Sequence, residues 1–201
     1  MSLYAVTLLR GSIESKVMRD PDVRIAVRED LNLLHADDED TRIIEEMGIW
    51  AASVRIDVAV VNGELCGFEL KSAKDDLRRL PTQEQIYSQV FDRVTIITAE
   101  NHFADCQAQV PDWWGLTLAK MSNLDRVTLT PVREARLNPA HNPLFVARML
   151  WKDEAIDVLA KSGLADGFRS KPIALIHERL AEAIPLEKLR AEVRRVLKSR
   201  N

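Results

Sequence analysis

Two carboxylates and an ammonium group stand close together in one stretch of the chain, Asp57, Glu69 and Lys71 within VRIDVAVVNGELCGFELKSAK (54–74). Carboxylates a few ångströms apart repel one another unless a cation holds them. Their oxygens suit hard ions such as Mg²⁺ or Mn²⁺. A neighbouring lysine can orient a water and offset the charge that develops on a phosphate. The bland alternative is a surface hairpin with one Glu–Lys pair, which adds little to stability. An aspartate, a glycine and a charged run inside two otherwise apolar strands weigh against that alternative.

Whether the three groups meet depends on the strands that carry them. Val54, Ile56, Val58 and Val60 alternate with Arg55, Asp57, Ala59 and Val61, the period of a half-buried strand. Past Asn62-Gly63, the apolar set is Cys66, Phe68 and Leu70, so Gly67, Glu69 and Lys71 take the other face. A strict two-residue Asn-Gly loop would send Asp57 and Glu69 to opposite faces, and a one-residue slip is costly when one face is buried. A three-residue loop, or a bulge near Gly67 where glycine tolerates unusual backbone angles, restores the match.

The flanking elements follow from caps and periodicity. Asp20 as N-cap and Pro21 in the first turn open a helix reaching about Leu34, after an N-terminal arm over residues 1–18. Asp40 or Thr41 is expected to open a short helix, Arg42 to Met47, carrying Glu45 and Glu46. Ser72 to Leu80 reads as partly helical and ends at Pro81, and Thr82 caps the next helix, on which Gln83 and Tyr87 share a face. Val94 to Thr98 is an interior strand. Trp113 and Trp114 are read as core anchors rather than a stacking surface for bases. A second hairpin spans Gly115–Ala119 and Arg126–Val132. Beyond the turn-rich 138–143 segment, helices are expected over Leu144–Ser162, Lys171–Ala183 and Leu186–Lys198, the last with a solvated basic face of Arg190, Arg194, Arg195 and Lys198.

Composition narrows the function classes. With 46% hydrophobic and 29% charged residues among 201, the chain is an ordinary globular protein with room for one good-sized domain. No apolar run approaches the ~18 residues of a membrane helix, and the N-terminal apolar patch has no positive charge ahead of it, so no signal peptide is expected and the cytoplasm is the expected compartment. Cys66 and Cys106 are too isolated for a disulfide framework, and the four histidines are too scattered for a zinc site. Glycine-rich phosphate loops and a GxSxG elbow are missing, so neither a nucleotide cofactor nor serine chemistry is expected. Residues 148–201 hold 12 Lys/Arg against 8 Asp/Glu, whereas the preceding residues hold 16 against 23. The body therefore lacks the basic footprint of a non-specific nucleic-acid binder.

Asp57 followed by Glu69-Leu70-Lys71 resembles the D…(D/E)xK signature of the PD-(D/E)XK nuclease superfamily, and Gln83-Glu-Gln-Ile-Tyr87 resembles the QxxxY motif of its RecB-like and exonuclease branches. IIEEMG, VRIDVAVVNGELCGFELKS, RLPTQEQIYSQVFDRVTIIT and PDWWG further resemble a family of bacterial and phage proteins carrying this core. The resemblance implies an α/β fold with a restriction-endonuclease-like α-β-β-β-α-β core and mixed sheet over 19–135, followed by a helical extension over 144–201. It implies that Asp57 and Glu69 bind Mg²⁺ (or Mn²⁺), with the Leu70 carbonyl as a further ligand and Lys71 assisting the attacking water. An acid on the first helix, Glu46 in preference to Glu45, would complete the site, and Gln83 and Tyr87 would position substrate or the acids. Ile56 stands where the superfamily's name places a proline. The implied activity is phosphodiester hydrolysis in DNA. The rival expectation is a catalytically silent module of the same fold, binding DNA or docking a protein partner through the C-terminal helices.

Overall fold

Among the described residues, six strands lie side by side in chain order in a single sheet: β1 (Arg42–Ile49), β2 (Val54–Val61), β3 (Leu65–Lys71), β4 (Arg93–Ala99), β5 (Gly115–Met121) and β6 (Val127–Arg133). The structure is a computed structural model that describes residues 18–50, 53–122 and 124–200. The arm expected over 1–18 thus lies, apart from Met18, outside the described residues. The sheet is mixed, because β3–β4 and β4–β5 are parallel while β1–β2, β2–β3 and β5–β6 are antiparallel. Parallel neighbours need a crossover. Helix α2 (Leu80–Val90) provides it between β3 and β4, and α3 (Phe103–Gln109) between β4 and β5.

Helix α1 (Asp20–Leu34) covers one face of the sheet through Val23, Val27 and Leu31, which repeat every four residues and pack with Val58, Val60, Leu70 and Ile97. The other face carries α2 together with α4 (Pro143–Ala147), α5 (Lys152–Lys161), α6 (Ile173–Ala183) and α7 (Leu186–Ser199). Their Val146, Leu159, Ile176, Leu189 and Leu197 belong to the same buried cluster as Ile49, Ile56 and Leu116 of the strands. No described helix is long and apolar enough to cross a membrane.

The register confirms the expected three-residue loop. Val61 pairs with Leu65 and Val58 with Phe68, leaving Asn62, Gly63 and Glu64 in the turn, where Asn62 Oδ1 accepts the Glu64 N–H at 3.0 Å. Gly67 is needed for space and not for its backbone angles. A Cβ there would lie 2.4 Å from Ile56 Cδ1 and 3.1 Å from the Phe91 ring.

Several expected elements differ. Arg42 to Met47 is no helix but most of strand β1, paired with β2 from Arg42↔Val61 to Ile49↔Val54. So short a helix has little stability of its own, whereas the strand buries Met47 and Ile49 and leaves Glu46 and Gly48 outward. The strict alternation expected along β2 also fails. Ile56 faces the same core as Ala59 and Val61, while Val58 and Val60 face α1. The change of face falls at Asp57, where Asp57 and Glu46 miss the ladder between Glu45↔Val58 and Met47↔Ile56, and Glu46 takes a left-handed φ of 51°.

Residues 72–79 form turns, and α2 begins at Leu80 with Pro81 in its first turn, one turn earlier than the Thr82 cap implied. The α1 cap is Arg19, with Asp20 already helical. The long helix expected over Leu144–Ser162 is broken into α4 and α5, because extended Trp151 donates its N–H to the Glu154 carboxylate at 2.7 Å and starts a new helix. The basic face of α7 is only partly solvated. Arg190 and Arg194 turn inward onto the buried Asp92 carboxylate, Arg194 Nη1 lying 3.4 Å from Oδ2.

Candidate active site

The ladder between β2 and β3 stops at Val58↔Phe68, while β3 continues to Lys71 alongside β4. Splaying of β2 away from β3 leaves the Leu70 N–H without a strand partner. The Asp57 carboxylate takes its place, with Oδ2 accepting that N–H at 2.8 Å. The gap is the root of a polar cavity of about 640 Å³ lined by Arg24, Glu46, Asp57, Glu69, Lys71 and Gln83, among others. The irregularity that spoils the strand pattern is therefore what opens the site.

Glu69 and Lys71 lie on the α2 side of β3 and are each 2% exposed. Lys71 Nζ donates to Glu69 Oε1 at 2.8 Å and to Gln83 Oε1 at 2.9 Å. Gln83 Nε2 closes the ring on Glu69 Oε1 at 2.6 Å. One turn further along α2, the Tyr87 hydroxyl lies 2.9 Å from Glu69 Oε2 and 2.7 Å from the Arg55 carbonyl. A phenol has one proton for those two acceptors. Trp114, fully buried as the core anchor expected, stacks on the Tyr87 ring at 6.1 Å and fixes its direction. Burial, and then the charge of Asp57, push Glu69 up to about 7. Burial also raises Asp57, against the pull of the Leu70 N–H and Arg24. Tyr87 is raised by burial and by the Glu69 charge.

The structure thus gathers Asp57, Glu69, Leu70, Lys71, Gln83 and Glu46 around one cavity, with Tyr87 bonded beneath it. Glu46 reaches it from a strand, not a helix. Glu45, its neighbour, is directed to Arg28 at 3.5 Å. A residue that spacing did not single out is Arg24, whose guanidinium lies 2.9 Å from Asp57 Oδ1 and 2.8 Å from Glu46 Oε1. Its i,i+4 relation to Asp20 was the only signal available, and that pair alone has the ordinary meaning of a helix-surface ion pair.

Among the described residues, no three His, Cys, Asp or Glu side chains form a ready metal-ligand group. The donor set still suits a hard cation. It consists only of oxygens, from two carboxylates and the Leu70 carbonyl, and each carboxylate keeps acceptor capacity beyond the bonds described. The Asp57 charge raises the proton affinity of Glu69, which is the repulsion a divalent ion relieves.

The fold and site define an α/β protein whose splayed sheet carries an Asp-Glu-Lys centre buttressed by a helical Gln-Tyr pair. The family described as "Bacteriophage P4 protein cII" matches residues 14–201. A relative named protein cII, from Enterobacteria phage P4, is 30% identical over 189 residues, covering 92% of this chain and 69% of that protein. The chain belongs to the phage P4 cII family. A solved protein of unknown function from Silicibacter pomeroyi is also similar, at 23% identity and a TM-score of 0.40, over 59% of this chain and 71% of the other.

Proposed function

We propose that this chain is a metal-dependent nuclease hydrolysing phosphodiesters in DNA, on a restriction-endonuclease-like core. The observation that carries the reading is the convergence of Asp57, Glu69, Lys71 and Gln83, from two strands and a helix, on one polar cavity, with Tyr87 bonded to Glu69 beneath it. The element order α1-β1-β2-β3-α2-β4 supports it. Asp57, Glu69 and the Leu70 carbonyl would hold Mg²⁺ or Mn²⁺, which supplies Lewis-acid polarisation of the scissile phosphate. Gln83 bonds both Glu69 and Lys71 and so fixes the distance between acid and ammonium. The Lys71 Nζ lies buried between Glu69 and Gln83, where an ammonium acts strongly on an oxyanion and can orient the attacking water. Tyr87 keeps Glu69 Oε2 in place. At the mouth, Arg55 and Arg78 are 62% and 88% exposed and offer guanidinium groups to flanking phosphates.

A specific observation favours the second reading, a silent module of the same fold that binds DNA or docks a partner. Both acids are already paired, Asp57 with Arg24 and Glu69 with Lys71. Incubation with single-stranded, duplex and branched DNA in Mg²⁺ or Mn²⁺ separates the two. Cleavage that stops with chelator and in Asp57→Asn supports the nuclease. DNA retained without cleavage by wild type, and equally by Asp57→Asn, moves the assignment to the binding module.

A further inference from the structure

We infer that the Arg24 guanidinium is the resident counter-cation of the acid cluster, and that a divalent ion enters the site by displacing it. This rests on the metal-site reading above and says how that site is regulated. Arg24 stands on α1 with its side chain 19% exposed. Its Nη2 bonds Asp57 Oδ1 at 2.9 Å and Glu46 Oε1 at 2.8 Å, its Nη1 donates to the Asp57 carbonyl at 3.1 Å, and its Nε donates to Asp20 Oδ1 at 3.3 Å. One cation therefore serves three carboxylates.

The oxygen it occupies matters most. Asp57 Oδ2 already accepts the Leu70 N–H, which leaves Oδ1 as the less constrained oxygen for a ligand, and Arg24 bonds it. A hard ion binds a carboxylate oxygen at ~2.0–2.6 Å. Held there beside a guanidinium nitrogen, it would place two like charges within a few ångströms in a partly desolvated cleft, which is strongly unfavourable. The two cations are alternatives. Glu46 is drawn into the same contact on a left-handed backbone, and its other oxygen lies 3.3 Å from Arg55 Nε. Arg24 offsets the mutual repulsion of Asp20, Glu46 and Asp57.

The test is Mn²⁺ binding followed by electron paramagnetic resonance, with no substrate present, on wild type, Arg24→Gln, Arg24→Lys and each in an Asp57→Asn background. Removing the competing charge tightens the Asp57-dependent Mn²⁺ site by about tenfold in Arg24→Gln, while Arg24→Lys stays near wild type. In intact wild type, the Arg24 Nε–H resonance moves on addition of diamagnetic Mg²⁺, a readout that needs no variant to fold. Equal Mn²⁺ affinity in wild type and Arg24→Gln, with the Arg24 resonance unmoved by saturating Mg²⁺, overturns the exchange and leaves the metal site standing. No Asp57-dependent Mn²⁺ binding in any form overturns the metal reading and the exchange together.

Discussion

Replacing Asp92 by Asn removes one charge from the junction between the sheet and the last helix. The Asp92 side chain is 2% exposed and accepts from the Leu65 N–H at 2.6 Å, lies 3.0 Å from His141 Nε2, and pairs with Arg190 and, at 3.4 Å, with Arg194. Asparagine keeps the shape but leaves two guanidinium groups without a buried counter-charge. Breaking one side of a buried pair costs ~3–5 kcal/mol. The two arginine side chains keep 15% and 17% exposure, so water recovers part of the loss and the lower end, about 3 kcal/mol, is expected. For a domain of this size that lowers Tm by roughly 6–12 °C.

Calorimetry of wild type, Asp92→Asn, Arg190→Met and the double variant reads this directly, with the double variant losing much less than the two single losses combined. The pH dependence adds a sign. Burial alone would raise Asp92, but His141, the Leu65 N–H and Arg190 outweigh it and hold the carboxyl below its usual range. Its contribution is therefore complete above the unfolded carboxyl pKa of about 4 and is lost as pH falls through the folded value. Stability of Asp92→Asn should fall less steeply with acid than that of wild type. A Tm change under about 2 °C, or simple additivity with Arg190→Met, would refute the idea that the arginines of α7 serve Asp92 rather than solvent.

Other substitutions give distinct outcomes. Tyr87→Phe removes the hydroxyl from both the Arg55 carbonyl and Glu69; it should cost ~1–3 kcal/mol in urea unfolding and, under the proposed nuclease function, slow cleavage. Gly67→Ala places a methyl 2.4 Å from Ile56 Cδ1, which is overpacking worth ~1–3 kcal/mol, so its denaturation midpoint should drop with an unchanged slope. Lys71→Met keeps the buried stem and removes the ammonium; under the proposed nuclease function, single-turnover DNA cleavage should fall by at least ~10²-fold while near-ultraviolet dichroism stays native. Trp114→Ala removes a fully buried ring stacked on Tyr87 and should cost ~3–5 kcal/mol in thermal unfolding.

The hairpin was legible because its apolar faces admit few registers, and the expected three-residue loop is the one found. Gln83 and Tyr87 were legible too, since an i,i+4 pair on a helix shares a face whatever the helix packs on. β1 was not, because Arg42–Met47 follows plausible cap residues and its pairing with β2 is a long-range contact that no local pattern records. The splay at Asp57 escaped for the same reason. Periodicity assumes a regular strand, and here β2 breaks at Asp57, whose carboxylate caps the Leu70 N–H across the gap. Arg24 and Arg190 look alike in sequence, as cations on amphipathic helices. Only the fold distinguishes them from solvated charges, by setting Asp57 opposite one and Asp92 opposite the other.

Anomalous diffraction from crystals soaked in Mn²⁺ is the most direct measurement of the proposed centre. The expected result is a peak within ~2.0–2.6 Å of an oxygen of both Asp57 and Glu69, with the Arg24 side chain moved off Asp57 Oδ1, and no such peak in Asp57→Asn. A saturating soak that leaves no peak between the two carboxylates, with Arg24 still on Asp57 and Lys71 still on Glu69, would contradict a metal-dependent active site here.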